Sequence, residues 1–265
     1  VADEVAALAE RFGAHRFWIN DDLFCDGSAT SQRRALAIVS MMHRAVPGLR
    51  FRAMLRSDLV ARRPEFIRQL QANGLEAVFV GLESGNERDI HVYRKRLTVA
   101  QNVKTSEVLR ELGVFLQIGF IMFSPQSTIA SVIENAEFLR HIRQLYRFMP
   151  LSRTVQLFPG TALWNSQLPI DEERSTIYMK IPKFRDHAVN VLSRAFEHLE
   201  EEFATSDRAV YQRAHSGLVP DSELHERGNR LFMFVQRACV LAEKGSSVDA
   251  LVDIGRDTIR QLATL

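Results

Sequence analysis

The chain has 265 residues, of which 46% are hydrophobic and 25% charged, a globular composition that excludes disorder as the organising state and suffices for one α/β domain with an appendage. Lysine and arginine number 34 against 32 aspartate and glutamate, for a net charge of +2, which singles out neither nucleic acid nor a membrane surface as a partner. No apolar run reaches membrane-spanning length and no basic-then-apolar leader opens the sequence, so a cytoplasmic protein is expected.

In chain order, residues 2–12 place Val5, Leu8, Ala9 and Phe12 at helical spacing, with Gly13 as a C-terminal stop. A short strand over 16–20 follows and delivers Asp21 and Asp22 to its C-terminal end. Ser31 caps a helix to Ala45, and Pro47-Gly48 ends it before a strand over 51–55. Pro64 suits the first turn of a helix that reaches Gly74, and a strand over 77–81 comes next. A helix over 98–112, a strand over 115–122, a helix over 128–145 and a strand over 154–158 complete the series. Strands recur about every 35 residues, the rhythm of βα units and a parallel sheet. Beyond about residue 170 the pattern becomes helical, over 184–211, 222–244 and 247–265, with hinges at 217–220 and 244–247. The run Glu197, Glu200, Glu201 and Glu202 reads as a solvated helix face, with metal binding at His198 a minor alternative.

Cys25 and Cys239 are the two cysteines, far apart in sequence, so no disulfide framework or thiolate cluster can be written from them. Cys25 reads as a small, partly buried thiol in a loop, and Cys239 as core.

Polar residues just past the ends of parallel strands gather at one rim, where α/β enzymes place their chemistry. Asp21 and Asp22 suit a divalent cation, acid–base work, a ligand ammonium, or a loop or helix cap. Arg56 suits a carboxylate clamp or a rim salt bridge with Asp58. In Val80-Gly81-Leu82-Glu83-Ser84-Gly85 two glycines bracket a carboxylate and a hydroxyl, a pattern that permits close approach to a ligand or simply makes a turn. Phe158-Pro159-Gly160-Thr161 reads as a structural turn.

The ordered series Phe17-Trp18-Ile19-Asn20-Asp21-Asp22-Leu23-Phe24, Arg56, the 80–85 segment, Gly119-Phe120-Ile121-Met122-Phe123-Ser124-Pro125 and Phe158-Pro159-Gly160-Thr161 resembles the radical S-adenosylmethionine enzymes, in particular their cobalamin-binding-domain type. The resemblance covers residues 1 to about 165, an ordered set of motifs and so more specific than any one of them. It implies a partial parallel (β/α)6 TIM-like barrel lacking its first strand, strands two to six over 1–165, followed by an all-helical C-terminal extension over 166–265. It also implies binding of S-adenosylmethionine, with a 4Fe–4S cluster whose ligands lie outside this chain and room for cobalamin on an upstream domain. A small-molecule substrate and an electron donor would be the partners. Carried over motif by motif, Asp21 and Asp22 would meet the cofactor's amino group and Arg56 its carboxylate or the substrate. Glu83 and Ser84 would lie near the ribose, and Phe120 and Ile121 near the adenine.

Two departures stand against that pattern. Phe123 and Gln126 replace glycines of the fifth-strand ending and Ser127 its glutamate, while Pro125 and Thr128 are kept. The cysteine triplet that marks the family is absent, and the chain opens, on Val rather than Met, at the helix that follows that triplet. The expectation is an enzyme domain that starts just after the cluster loop. A barrel that has lost its cluster and acts as a binding or partner protein is the alternative. A metal-dependent barrel hydrolase or lyase using Asp21, Asp22 and Glu83 would lack histidine ligands, since His15, His43, His91 and His141 fall in or beside helices.

Overall fold

The computed structural model describes residues 1–161, 163–165 and 168–263. The join expected at 165/166 and the last two residues of the helix expected over 247–265 lie outside them. The chain forms two compact units, one of Val1–Glu83 with Tyr93–Gly119 and the other of Ser84–Val92 with the residues from Phe120 onward.

The first unit begins with α1 (Ala2–Phe12), β1 (Arg16–Trp18), α2 (Ala29–Ala45), β2 (Arg50–Leu55), α3 (Ser57–Arg62), α4 (Pro64–Ala72) and β3 (Leu75–Glu83). After α5 (Glu87–Val92), which belongs to the second unit, come α6 (Val99–Glu111) and β4 (Phe115–Phe120). The strands make a four-stranded parallel sheet in the order β1-β2-β3-β4. Phe17 pairs with Phe51, and Ala53 with Val78. Phe51, Ala53, Val78, Val80 and Leu82 of the sheet are buried, as are Val39 and Met42 of α2 and Leu109 of α6. Caps fix the helix starts: Thr98 and Gln101 form a reciprocal capping box at α6. At α2 the cap is Ser28, whose hydroxyl accepts from the Ser31 N–H. Ser31, expected as the cap, is therefore already in the first turn.

The second unit adds α7 (Ile129–His141), α8 (Met149–Ser152), α9 (His187–His215), α10 (Asp221–Glu243) and α11 (Val248–Leu262). Its core is aromatic: Phe148 stacks on Phe203 with centroids 4.2 Å apart and meets Phe196 edge-on at 5.5 Å. The helix expected to reach Leu145 stops at His141, because Arg143 turns left-handed (φ 58°) and the Gln144 and Leu145 N–H groups both fold back onto the Leu139 carbonyl. The sixth strand expected over 154–158 does not form. Thr154 makes a single parallel bridge with Phe123, and Leu157 pairs antiparallel with Lys180 instead. The strand expected over 115–122 ends at Phe120 for the same reason, since the Met122 and Phe123 N–H groups share the Arg153 carbonyl. Where a partial barrel with strands two to six was expected, the described residues form a four-stranded parallel sheet followed by C-terminal helices. No helix among the described residues is long and apolar enough to cross a membrane.

Candidate functional site

Three neighbouring parallel strands of the first unit end at the same rim, and a charged side chain at or just past each end lines a common cavity. Asp22 follows β1, Arg56 follows β2, and Glu83 closes β3; all three line one cavity of about 220 Å³ with Met54, Phe79 and Lys95. Past β1 the backbone stays tied to β2, with Ile19 N–H on the Arg52 carbonyl and Phe24 N–H on the Met54 carbonyl, so residues 20–23 loop outward between those anchors.

That loop separates the aspartate pair. The Asp21 carboxylate accepts from the Leu23 N–H at 3.4 Å, a local turn contact. Asp22 lines the cavity and has no ion-pair partner among the described residues. Arg56 makes the rim salt bridge, its Nε 2.9 Å from Asp58 Oδ1. Glu83 has φ 66°, a left-handed conformation that costs a non-glycine residue free energy. Its carboxylate folds back so closely that a Cβ on Gly81 would lie 2.5 Å from Glu83 Oε1. The same oxygen is 3.1 Å from Lys95 Nζ.

The second glycine of that motif also has a protein neighbour. A Cβ on Gly85 would lie 2.2 Å from the Phe138 Cβ. Both glycines thus make room for side chains of this chain. Behind the first unit's rim, a buried network holds two of the strand ends. The Ser57 hydroxyl, next to Arg56, donates to Asn102 Oδ1 at 2.7 Å, and Asn102 Nδ2 donates to the Leu82 carbonyl, next to Glu83, at 2.8 Å.

The remaining sequence-expected residues belong to the second unit. Ser84 is fully buried; its hydroxyl lies 2.8 Å from Asn135 Oδ1 and 3.3 Å from Asp89 Oδ2, and it accepts from the Asn86 N–H. Burial pushes the Asp89 carboxyl above its ordinary value, against the hydrogen bonds from Ser84 and Asn135. Phe120 is buried and stacks on Phe138 with centroids 6.0 Å apart, and Ile121 is half-buried. Lys95 is the site residue that strand-end reasoning passes over. Its signal is the basic run Arg94-Lys95-Arg96, legible only once the chain is seen to return to the rim after α5.

The donors for an iron–sulfur cluster do not fit. Such clusters take cysteine thiolates, whereas Cys25 and Cys239 are both buried and lie one in each unit. Burial pushes the Cys239 thiol up to about 12, far from thiolate chemistry. Cys25, expected to be partly buried, is fully so. Among the described residues no three His, Cys, Asp or Glu side chains gather where they could hold a metal ion.

No protein-family model matches the chain. A curated relative, the 4'-phospho-dehydrooxetanocin synthase of Priestia megaterium, is 33% identical over 75 residues, 28% of this chain and 10% of that protein. Among solved structures, the chain is similar to the cobalamin-dependent S-adenosylmethionine radical enzyme OxsB. The apo form matches with a TM-score of 0.71 at 13% identity over 99% of this chain and 49% of OxsB. The form with aqua-cobalamin matches with a TM-score of 0.67 at 15% identity over 88% of this chain and 41% of OxsB. A third OxsB structure, with aqua-cobalamin and S-adenosylmethionine bound, gives 0.61 at 15% identity. The chain therefore spans at most about half the length of the solved relatives it matches, and at these identities the likeness is one of fold.

Proposed function

We propose that this chain is the S-adenosylmethionine-binding portion of a radical enzyme, as the resemblance of its strand ends implies. The observation that carries the reading is the convergence of Asp22, Arg56 and Glu83, one from each of three adjacent parallel strand ends, on a single cavity. The fold likeness to OxsB, whose solved forms include one with S-adenosylmethionine bound, supports it.

The donor set fits the amino-acid end of that cofactor. Carboxylates at Asp22 and Glu83 complement an ammonium and ribose hydroxyls, and cations at Arg56 and Lys95 complement a carboxylate. A whole ligand typically fills roughly 300 Å³ or more, so a cavity of about 220 Å³ suits one end of the molecule and not the entire nucleoside. In this reading Asp22 binds, Arg56 orients, and Glu83 holds the ribose side. When bound together with a reduced 4Fe–4S cluster, S-adenosylmethionine supplies hydrogen-abstracting radical chemistry, and cobalamin would extend it to methyl transfer. The cluster's ligands would come from outside this sequence, and a small-molecule substrate and an electron donor complete the scheme.

Calorimetric titration of the chain with S-adenosylmethionine tests the reading. Binding is expected, with Asp22→Ala and Glu83→Ala each weakening it by about ten-fold, the size of one charge-assisted contact, while both variants remain folded. Unchanged affinity in both variants would overturn the assignment. A chain that binds no S-adenosylmethionine would favour the second reading, a non-catalytic binding barrel.

A further inference from the structure

Apart from the rim cavity, the first unit carries a groove of about 540 Å³ between α2 and the start of α4. Its floor is apolar, with Leu36 half-buried and Phe66 buried, and Arg33, Arg62 and Arg63 stand along it. The sequence contains two Arg-Arg steps, Arg33-Arg34 and Arg62-Arg63, and the fold brings both to this one groove.

The positive charge there is poorly compensated. Arg62 shares the Asp58 carboxylate with Arg56, and Glu65, the acid that lines the groove, lies 3.1 Å from Arg68 Nε. Arg33 and Arg63 have no ion-pair partner among the described residues; Arg33 Nη2 reaches the Thr30 hydroxyl at 3.2 Å, a contact that fixes its pose and leaves its charge.

Exposure decides what such a groove can hold. A small-molecule site encloses most of its ligand, whereas here Arg33, Arg62, Arg63, Pro64 and Gln69 are exposed and Phe66 alone of the lining is buried. An open apolar trough edged by arginines has the make-up of a protein contact, in which arginine is enriched and charge surrounds an apolar centre. Nucleic acid is the poorer fit, because the groove offers no exposed aromatic ring on which a base could stack.

We infer that the groove between α2 and α4 is a docking surface for a partner protein that presents an acidic amphipathic helix, with its apolar edge on Leu36 and Phe66 and its flanking carboxylates on Arg33 and Arg63. Helix-in-groove recognition uses this arrangement, and the guanidinium fork suits carboxylates. The inference is independent of the cofactor reading, since none of these residues lines the rim cavity.

Fluorescence anisotropy with a labelled synthetic peptide tests it, the peptide carrying leucines at helical spacing with glutamates on both sides. The wild-type chain should bind it saturably at low ionic strength, and less tightly as salt rises. Arg33→Glu/Arg63→Glu should bind at least about ten-fold more weakly, because two attractive contacts become repulsive, and Arg33→Gln/Arg63→Gln should fall between. Arg44→Glu/Arg110→Glu makes the same change in net charge at exposed helix positions outside the groove and should bind as the wild type does. Matching circular dichroism and thermal unfolding show that folding is not the cause. A wild type that does not bind the peptide would overturn the inference. So would equal losses in the two Arg→Glu double variants, or equal affinity for a shuffled peptide of the same composition, either of which reduces the effect to bulk charge. Stoichiometric binding of inorganic pyrophosphate that Arg33→Glu/Arg63→Glu abolishes would also overturn it, by making the groove a small-anion site.

Discussion

Glu83 with Lys95 in the first unit, and Asp207 with Arg227 in the second, are both acid–base pairs, built to opposite ends. The Asp207 carboxylate accepts from the Phe148 and Met149 N–H groups and from Arg227, and the Arg227 Nε donates to the Tyr146 carbonyl at 2.6 Å. Both side chains are about nine-tenths buried, and burial raises the aspartate's pKa and lowers the arginine's. These bonds hold α8 and the chain before it to α9 and α10. At the rim, by contrast, one ion pair with a half-exposed lysine sits beside a cavity, on strained backbone. A buried pair also bonded to the backbone on both sides is an anchor, whereas a half-exposed pair with spare donors and local strain is equipped to meet something else.

The comparison breaks most readily at the anchor. Asp207→Ala leaves a buried guanidinium and two backbone N–H groups without their acceptor, and should cost about 3–5 kcal/mol of stability in urea unfolding. A loss near that of an exposed pair, about 1 kcal/mol or less, would remove the distinction between the two regions.

The two glycines of the 81–85 segment sharpen it at intermediate size. In Gly85→Ala the new Cβ meets the Cβ, Cγ and Cδ1 of Phe138, atoms that cannot swing away, so about 1–3 kcal/mol of destabilisation is expected. In Gly81→Ala the new Cβ meets the end of the Glu83 side chain, which can move. That variant should unfold close to the wild type while losing affinity for S-adenosylmethionine, because the displaced carboxylate no longer anchors Lys95. Equal melting losses in the two would show that Glu83 is packed as firmly as Phe138 is.

These two glycines also mark where the sequence stops being legible. A glycine on either side of Glu83-Ser84 announces that something comes close, but at Gly85 that is Phe138, far along the chain, and at Gly81 it is the Glu83 side chain folded back by its own left-handed backbone. The long helices were readable to within a few residues because their apolar period and caps are local, as at α1 and at Ser247 before α11. The helices α3, α5 and α8 were not, since four to six residues are too few to show a period. The expected last strand failed because Leu157 prefers a partner, Lys180, that lies in a segment without strand signals. At the rim, Asp22, Arg56 and Glu83 were legible as strand ends. The separation of Asp21 from Asp22 was not, because it turns on which carboxylate the Leu23 N–H reaches. Lys95 arrives through a tertiary ion pair that no spacing encodes.

The smallest effect bears on the strain itself. If Glu83 occupies its left-handed conformation at a cost, glycine there should relieve what alanine retains, since both remove the carboxylate and only glycine visits that region freely. Glu83→Gly should therefore be more stable than Glu83→Ala by about 1 kcal/mol in urea unfolding. Relative to the wild type it should lie within about 1 kcal/mol, because the lost ion pair has a half-exposed lysine and is screened. Both variants should lose S-adenosylmethionine affinity alike. If Glu83→Gly proved no more stable than Glu83→Ala, the φ of Glu83 would carry no stored strain. The ion pair at the rim would then differ from the buried one in exposure alone.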